Sequence, residues 1–247
     1  MGAQASFAQV ARDDGRAALV TAVSGPHAGS RMLVGADGSQ EGSLGDPELD
    51  LAAVADANEL MWEERSERHG DLFIDITAPP PRLFIFGAVE YGNHLAHIAH
   101  VMGWRPYVID PRARFATRER FPDALEIVVA WPGPALEQLG GIDRATYLAV
   151  LSNDTKLDDE VLTLALRAEP AYIGAMGSTH AQEERNERLV ANGVPEGDLA
   201  RISAPVGLDL GALSAPETAL SIMAELVAVR YGRSGERLSQ RSATANR

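Results

Sequence analysis

Four stretches of this chain carry residue types that could hold an anion, a metal or a polar ligand. The first is Gly87-Ala88-Val89-Glu90-Tyr91-Gly92, directly after the apolar run 82–88. A dinucleotide-binding turn needs Gly-x-Gly-x-x-Gly at such a place, because its middle glycine lets the backbone approach a pyrophosphate. Gly87 and Gly92 keep that register, and Val89 stands where the middle glycine belongs. Asp110 ends the next apolar run, 106–110, where a carboxylate would bond a ribose 2′-hydroxyl. The alternative reading is a Rossmann scaffold that no longer binds a dinucleotide in the ordinary way.

The second stretch is a pair of turns. Ser152-Asn153-Asp154-Thr155 follows one apolar run and Gly177-Ser178-Thr179-His180 follows another. Ligands of open α/β sheets bind at such strand ends, and the free N–H groups of a helix start attract anions. The plain alternative is helix capping, which Ser, Asp, Asn and Thr do routinely. Third, His94, His97 and His100 recur every three residues. Neighbours at that spacing can share a metal, but His94 and His100 lie about 120° apart around a helix, so the three cannot converge. No metal site is expected. Fourth, residues 200–212 place Asp209 between Gly207 and Gly211 in a stretch without periodicity. Such loops line sites or brace a neighbouring helix. No catalytic triad or paired-carboxylate spacing is recognisable.

These residues need elements to position them. From residue 82 onward, strand and helix patterns alternate: strands at 82–88, 106–110, 126–131, 146–152 and 171–177, and helices near 92–102, 134–139, 157–168, 179–191 and 216–231. Alternation of this kind makes a parallel, doubly wound, Rossmann-like α/β sheet. Residues 1–78 read as a smaller N-terminal α+β domain, with strands at 17–24, 30–38, 40–44 and 71–76. In it a helix starts at Asp46-Pro47, runs to about Arg68 and stops at Gly70. Its mostly apolar stripe is Leu51, Val54, Ala55, Asn58, Met61 and Trp62. Pro79-Pro80-Pro81 form a stiff spacer at 79–81. The Rossmann-like domain then covers 82–231, and a polar tail, 232–247, is expected to be disordered.

The totals exclude several classes. There is no cysteine among the 247 residues, which removes disulfides, zinc–thiolate sites, iron–sulfur clusters and cysteine nucleophiles. A net charge of −13 repels phosphate backbones, so nucleic acid is not an expected partner. No run approaches bilayer length, and the start does not read as a secretion signal. A cytoplasmic protein without a membrane partner is expected.

Several stretches together resemble a known family. They are APPPRLFIFGA, GWRPYVIDPRARFATRERFPDA, KLDDEVLTLAL, YIGAMGS, ARISAPVGLDLGA and ETALSIMAELVAVRYG. In this order and spacing the chain resembles the XdhC/CoxI family, accessory proteins of xanthine dehydrogenase and carbon monoxide dehydrogenase. The likeness covers about 78–232, and extends more loosely to the first domain through SRMLVGADG and the helix after it. The resemblance implies a cofactor-handling accessory factor rather than a dehydrogenase. Such proteins bind the molybdenum cofactor (molybdopterin), a pterin with a phosphate and in many bacteria an attached nucleotide. They help its sulfuration and deliver it to a molybdenum hydroxylase apoenzyme.

Asp110, Arg112, Asp154, Asp158, Gly177, Ser178, Gly207, Asp209 and Gly211 match the family pattern. Three places depart from it. The Ser-Gly-Gly-Cys-Val-Glu of the first domain is replaced by Gly42-Ser43-Leu44-Gly45-Asp46-Pro47-Glu48. Gly-Ala-Gly-His becomes Gly87-Ala88-Val89-Glu90, and Gly-Ser-Arg-Arg becomes Gly177-Ser178-Thr179-His180. Two charges that could hold a phosphate are thereby absent.

The resulting expectation is a cofactor site formed by Gly87, Gly92, Asp110, Asp154, Ser178 and Asp209 at the C-terminal edge of the sheet. Two alternatives stay open. One is a nicotinamide-linked oxidoreductase, in which Asp110 favours NAD over NADP. The other is a ligand-free interaction module whose crevice is filled by Val89 and Tyr91. A homodimer is also expected, on the ground that the stripe of the helix after Pro47, ending at Met61 and Trp62, needs a partner surface.

Overall fold

The computed structural model describes residues 2–240. The chain divides between Pro80 and Pro81 into two compact units, each with one sheet.

The first unit runs α1 (Ala3–Arg12), β1 (Ala17–Ala22), β2 (Arg31–Gly35), β3 (Gln40–Ser43), α2 (Pro47–Glu63), β4 (Glu67–His69) and β5 (Leu72–Thr77). Its five strands are ordered β3-β2-β1-β5-β4, all antiparallel. The start of α2 is as the sequence predicts: Asp46 accepts from the N–H groups of Glu48 and Leu49 at 2.8 and 3.2 Å, with Pro47 in the first turn. Its end is not. The helix stops at Glu63 rather than near Arg68, because Glu64 turns left-handed at φ 52°. That conformation costs a non-glycine residue about 1–2 kcal/mol. The Arg16 guanidinium helps hold it, bonding the Glu64 carboxylate at 2.8 Å with both side chains largely buried. The residues released from the helix form β4, and Gly70 turns β4 into β5.

The expected stripe of α2 is also corrected. Its buried residues are Ala53, Ala57, Leu60 and Met61, whereas Leu51 is 74% exposed. They pack with Val20, Met32, Val34 and Ile74 in one core. The small alanines let the helix approach its own sheet, so the face read as needing a partner chain is covered within the unit. Residues 3–12, to which the sequence pattern assigns no element, form α1 against β1 and β2.

The second unit runs β6 (Arg82–Phe86), α3 (Glu90–Val101), β7 (Arg105–Ile109), β8 (Glu126–Val128), α4 (Pro132–Gln138), β9 (Thr146–Val150), α5 (Thr155–Arg167), β10 (Tyr172–Ala175), α6 (Thr179–Ala191), β11 (Ile202–Ser203) and α7 (Ala215–Arg230). The sheet order is β11-β10-β9-β6-β7-β8, and every pair is parallel. This is the Rossmann-like, doubly wound arrangement expected. Strand alternation explains the continuous apolar runs. Leu83 and Ile85 join a core with residues of α3 and α7, while Phe84 and Phe86 join another with residues of α4, α5 and α6. The short β11 is an addition to the expected strands; it lies in the stretch read as a loop. Of the polar tail, residues 232–240 are described and include a 3-10 turn at Leu238–Gln240; the expectation for 241–247 lies outside the described residues. Among the described residues, no helix is long and apolar enough to cross a membrane.

Candidate functional site

The sheet order reverses at β6, which pairs with β7 on one side and β9 on the other. Ligands of open α/β sheets bind outside the carboxyl ends of the strands at such a switch point. Gly87 leaves β6 at φ +108°, and a Cβ there would lie 2.8 Å from the Ser152 nitrogen and 3.0 Å from its Cα. Both conformation and space therefore demand glycine. A Cβ on Gly92 would lie 3.1 Å from the Gly87 oxygen and from Ile85 Cγ2, so Gly92 lets α3 sit close on its strand. Two of the three glycine roles are present. The third is not. Val89 is the N-cap of α3 without a capping bond, and with Tyr91 it packs half-buried against the core.

Asp110 follows β7 and is fully buried. One carboxylate oxygen accepts from the Ala88 N–H and Arg112 Nη2, both at 2.8 Å. The other accepts from Arg112 N and Nε, both at 2.9 Å. Burial pushes this carboxyl up, but the Arg112 guanidinium and the Ala88 and Arg112 N–H groups outweigh it and hold the group below its ordinary value. The sequence pattern aims Asp110 at a ribose; in the structure its bonds brace the turn after β6 and fix Arg112. The same bonds, against a smaller cost of burial, raise Arg112 above its ordinary value. The guanidinium carbons of Arg112, Arg114 and Arg120 lie 4.8, 4.5 and 5.6 Å from the centre of the Phe115 ring. Arg120 also donates to the Phe115 carbonyl at 3.0 Å. Reading the strand ends alone missed this cluster. Its signal was Arg112-x-Arg114-Phe115 directly after the strand-end aspartate.

The β9–β10 side holds a second polar group. Asp154 caps α5 through the N–H groups of Lys156 and Leu157 at 3.0 and 3.4 Å. Ser178 caps α6 through Ala181 at 3.2 Å. Behind these caps, Ser152 donates to the Asp158 carboxylate. Arg185 Nη2 lies 3.6 Å from Asp158 and donates to the Met176 carbonyl at 2.6 Å. Both side chains are almost fully buried, and Arg185 Nε has no hydrogen-bond partner among the described residues. Burial raises the Asp158 carboxyl to about 6; the Ser152 hydroxyl and the Arg185 charge offset it only in part. A cation thus stands just behind the departure at Thr179-His180, supplied by α6.

Asp209 is exposed in the loop after β11. Sheet order sets that strand about 14 Å from β6. The loop is pinned from below. Glu225 of α7 accepts from the Tyr172 hydroxyl at 2.6 Å and from the Gly207 N–H, and the Leu208 N–H bonds the Ser221 carbonyl at 3.2 Å. Burial and the neighbouring Glu225 raise the Tyr172 hydroxyl far above its ordinary value. Topology therefore puts Gly87, Asp110, Asp154, Ser178 and Asp209 after the carboxyl ends of five strands, with Gly92 in the helix beside the first. Among the histidines, His97 meets Asp123 at 2.9 Å and His94 meets Glu90 at 3.9 Å. Among the described residues, no group of three His, Asp or Glu could hold a metal ion.

In the first unit, the segment that departs most from the family pattern forms a closed turn. Ser43 Oγ and the Leu44 N–H both donate to Asp50 at 2.7 Å, the Leu44 carbonyl accepts from Ser30, and the Leu44 side chain is fully buried.

Comparison with known proteins agrees with this architecture. Residues 83–226 match the XdhC Rossmann domain, and residues 10–70 match the XdhC and CoxI family. The chain is 29% identical over 160 residues to a probable xanthine dehydrogenase subunit of Bacillus subtilis, covering 65% of this chain and 46% of the relative. It is 29% identical over 152 residues to the molybdenum cofactor insertion chaperone PaoD of Escherichia coli, covering 62% and 41%. It thus spans less than half the length of these curated relatives. The crystal structure of a xanthine dehydrogenase from Bacillus halodurans superposes with a TM-score of 0.65 at 25% identity, over 91% of this chain and 65% of that one. With its Rossmann domain matched over more than half of its length, the chain belongs to the XdhC and CoxI family.

Proposed function

We propose that this protein is an accessory factor of a molybdenum hydroxylase that binds the molybdenum cofactor and aids its maturation and insertion into the apoenzyme. The observation that carries this reading is the likeness to an insertion chaperone for that cofactor over 62% of the chain, together with the match of residues 83–226 to the family's Rossmann domain. The donor set fits a phosphorylated heterocycle rather than a bare metal ion. The strand-end edge offers guanidinium groups and a glycine turn at a switch point, and no thiol. When bound, the cofactor would supply the molybdenum chemistry to its acceptor enzyme. This chain would hold and orient it, with Gly87 letting the turn pack closely against Ser152 and Arg112 reaching solvent from the Asp110 brace. With no cysteine in the chain, sulfur cannot ride on a thiol of this protein. The test is co-purification: the proposal expects a pterin, read as fluorescence after oxidation. Protein that stays pterin-free when mixed with excess cofactor overturns it.

A nicotinamide-linked oxidoreductase is the second reading, supported by Gly87 and Gly92 at the switch point. The buried, fully bonded Asp110 weighs against recognition of a ribose diol. A melting shift of several degrees at sub-millimolar NAD would favour this reading, and no shift would remove it. Assembly as a homodimer belongs to the first proposal. A monomer mass by light scattering, unchanged on roughly tenfold concentration, would exclude it.

A further inference from the structure

We infer that the arginine loop after β7 is a phosphate site: Arg112 and Arg114, stacked on Phe115 and backed by Arg120, take the phosphomonoester of a ligand lying in the crevice. The inference uses the crevice as its location but does not depend on which cofactor the protein carries.

The chain carries a net −13, yet four of the nine residues from Arg112 to Arg120 are arginines, with Glu119 the one acid among them. Gathering these charges has a cost. Three guanidinium carbons lie within 5.6 Å of one ring centre, so like charges are held close together. Attraction to the ring face offsets part of that repulsion. Asp110 neutralises Arg112 alone. Among the described residues, Arg114 and Arg120 meet no carboxylate; Arg120 is bonded to a carbonyl, and Arg114 has only the ring. A cluster of cations of which only Arg112 has its anion is suited to receive another, and a planar guanidinium fork matches phosphate oxygens two at a time.

The loop follows the second strand of the Rossmann order, where such folds place the ribose of a bound nucleotide, read by a carboxylate for a diol or by an arginine for a phosphate. Here the carboxylate is spent on the protein itself, and an arginine faces outward from it. Val89 fills the place where a turn would admit a pyrophosphate. The combination moves the expected anion contact from the turn after β6 to the loop after β7.

The test is calorimetric titration at low ionic strength, where exposed charges are least screened. The probes are adenosine 2′,5′-bisphosphate, adenosine 5′-monophosphate and inorganic pyrophosphate, each against the intact protein. The site expects the bisphosphate to bind at least about tenfold more tightly than the monophosphate. Arg114→Ala and Arg120→Ala, both at exposed positions outside the Asp110 brace, should each cost about tenfold. Arg12→Ala, an equal charge change in the first unit, should leave binding unchanged. Pyrophosphate binding as tightly as the bisphosphate, with the same sensitivity to Arg114→Ala, would identify the phosphate alone as the recognised group. No binding of any probe at millimolar concentration, or binding indifferent to Arg114→Ala and Arg120→Ala, overturns the site. Because pterin co-purification is read separately, either conclusion can fail without the other.

Discussion

The two sides of the strand-end edge of the second sheet are built on opposite terms. On the β6–β7 side, a fully buried carboxylate has four donors and its partner guanidinium reaches solvent. On the β9–β10 side, carboxylate and guanidinium are both buried, 3.6 Å apart, and one guanidinium nitrogen has no partner. The first carboxyl is held below its ordinary value and the second is raised to about 6. A buried carboxylate is stable when its bonds are complete, and it drifts toward the neutral form when burial outweighs them. The same sheet edge thus carries one fully bonded polar anchor and one whose carboxyl is raised to about 6.

That contrast is open to breakage in order of size. Asp110→Ala should cost the most, about 2–4 kcal/mol, because it orphans the buried Ala88 N–H and removes the three bonds to Arg112 at once. Urea midpoints at unchanged slope would show it; a loss below about 1 kcal/mol would mean the anchor is not one.

The pH response comes next. Between its ordinary value and about 6, folded Asp158 binds more protons than it does in the unfolded chain. Its contribution to stability is therefore full in acid and falls as pH rises through that window, by at most about 3 kcal/mol. Asp110 runs the other way: its contribution is present above the unfolded value and is lost only as pH falls through its lowered folded value. Asp158→Asn should flatten the stability profile between about pH 4 and pH 6 and leave the acid limb unchanged. An identical profile would contradict the raised carboxyl.

Arg185→Met is expected to cost about 1–2 kcal/mol at pH 7, less than loss of a fully bonded buried cation, because Asp158 can take up a proton instead. The cost should shrink below pH 6. Arg188→Ala gives the smallest effect, about 0.5–1 kcal/mol. Its bonds to Asp159, at 2.8 and 3.1 Å, lie partly in solvent on the outer side of the same helix pair.

The sequence revealed the second unit far better than the first. Most of its helices and long strands follow from a continuous apolar run or a periodic stripe, because both faces of the sheet are covered and burial leaves little freedom in residue type; α6, which buries only Arg185 and Leu189, is the exception. In the first unit, α2 defeats the stripe argument. Alanines at 53 and 57 carry the packing while the conspicuous Leu51 faces outward. Its end was hidden because Glu64 adopts a left-handed conformation with no glycine to announce it. The three-residue β4 is too short for alternation to register. At the candidate site, spacing found the strand-end residues but not their roles. The Asp110 bonds depend on how Arg112 folds back two residues later. The Asp158–Arg185 pair is separated by a strand and most of two helices, and only the parallel pairing of β9 with β10 brings it together.

The bond from the Ala88 N–H to Asp110 has a consequence for timing. In many nucleotide folds the turn after the first strand is completed by its ligand, whose phosphate satisfies the exposed amides. Here one of those amides already has an anion, supplied by the chain. A turn that carries its own counter-charge keeps its shape without a ligand to complete it. On the proposed reading as a cofactor carrier, loading would need no refolding of this loop.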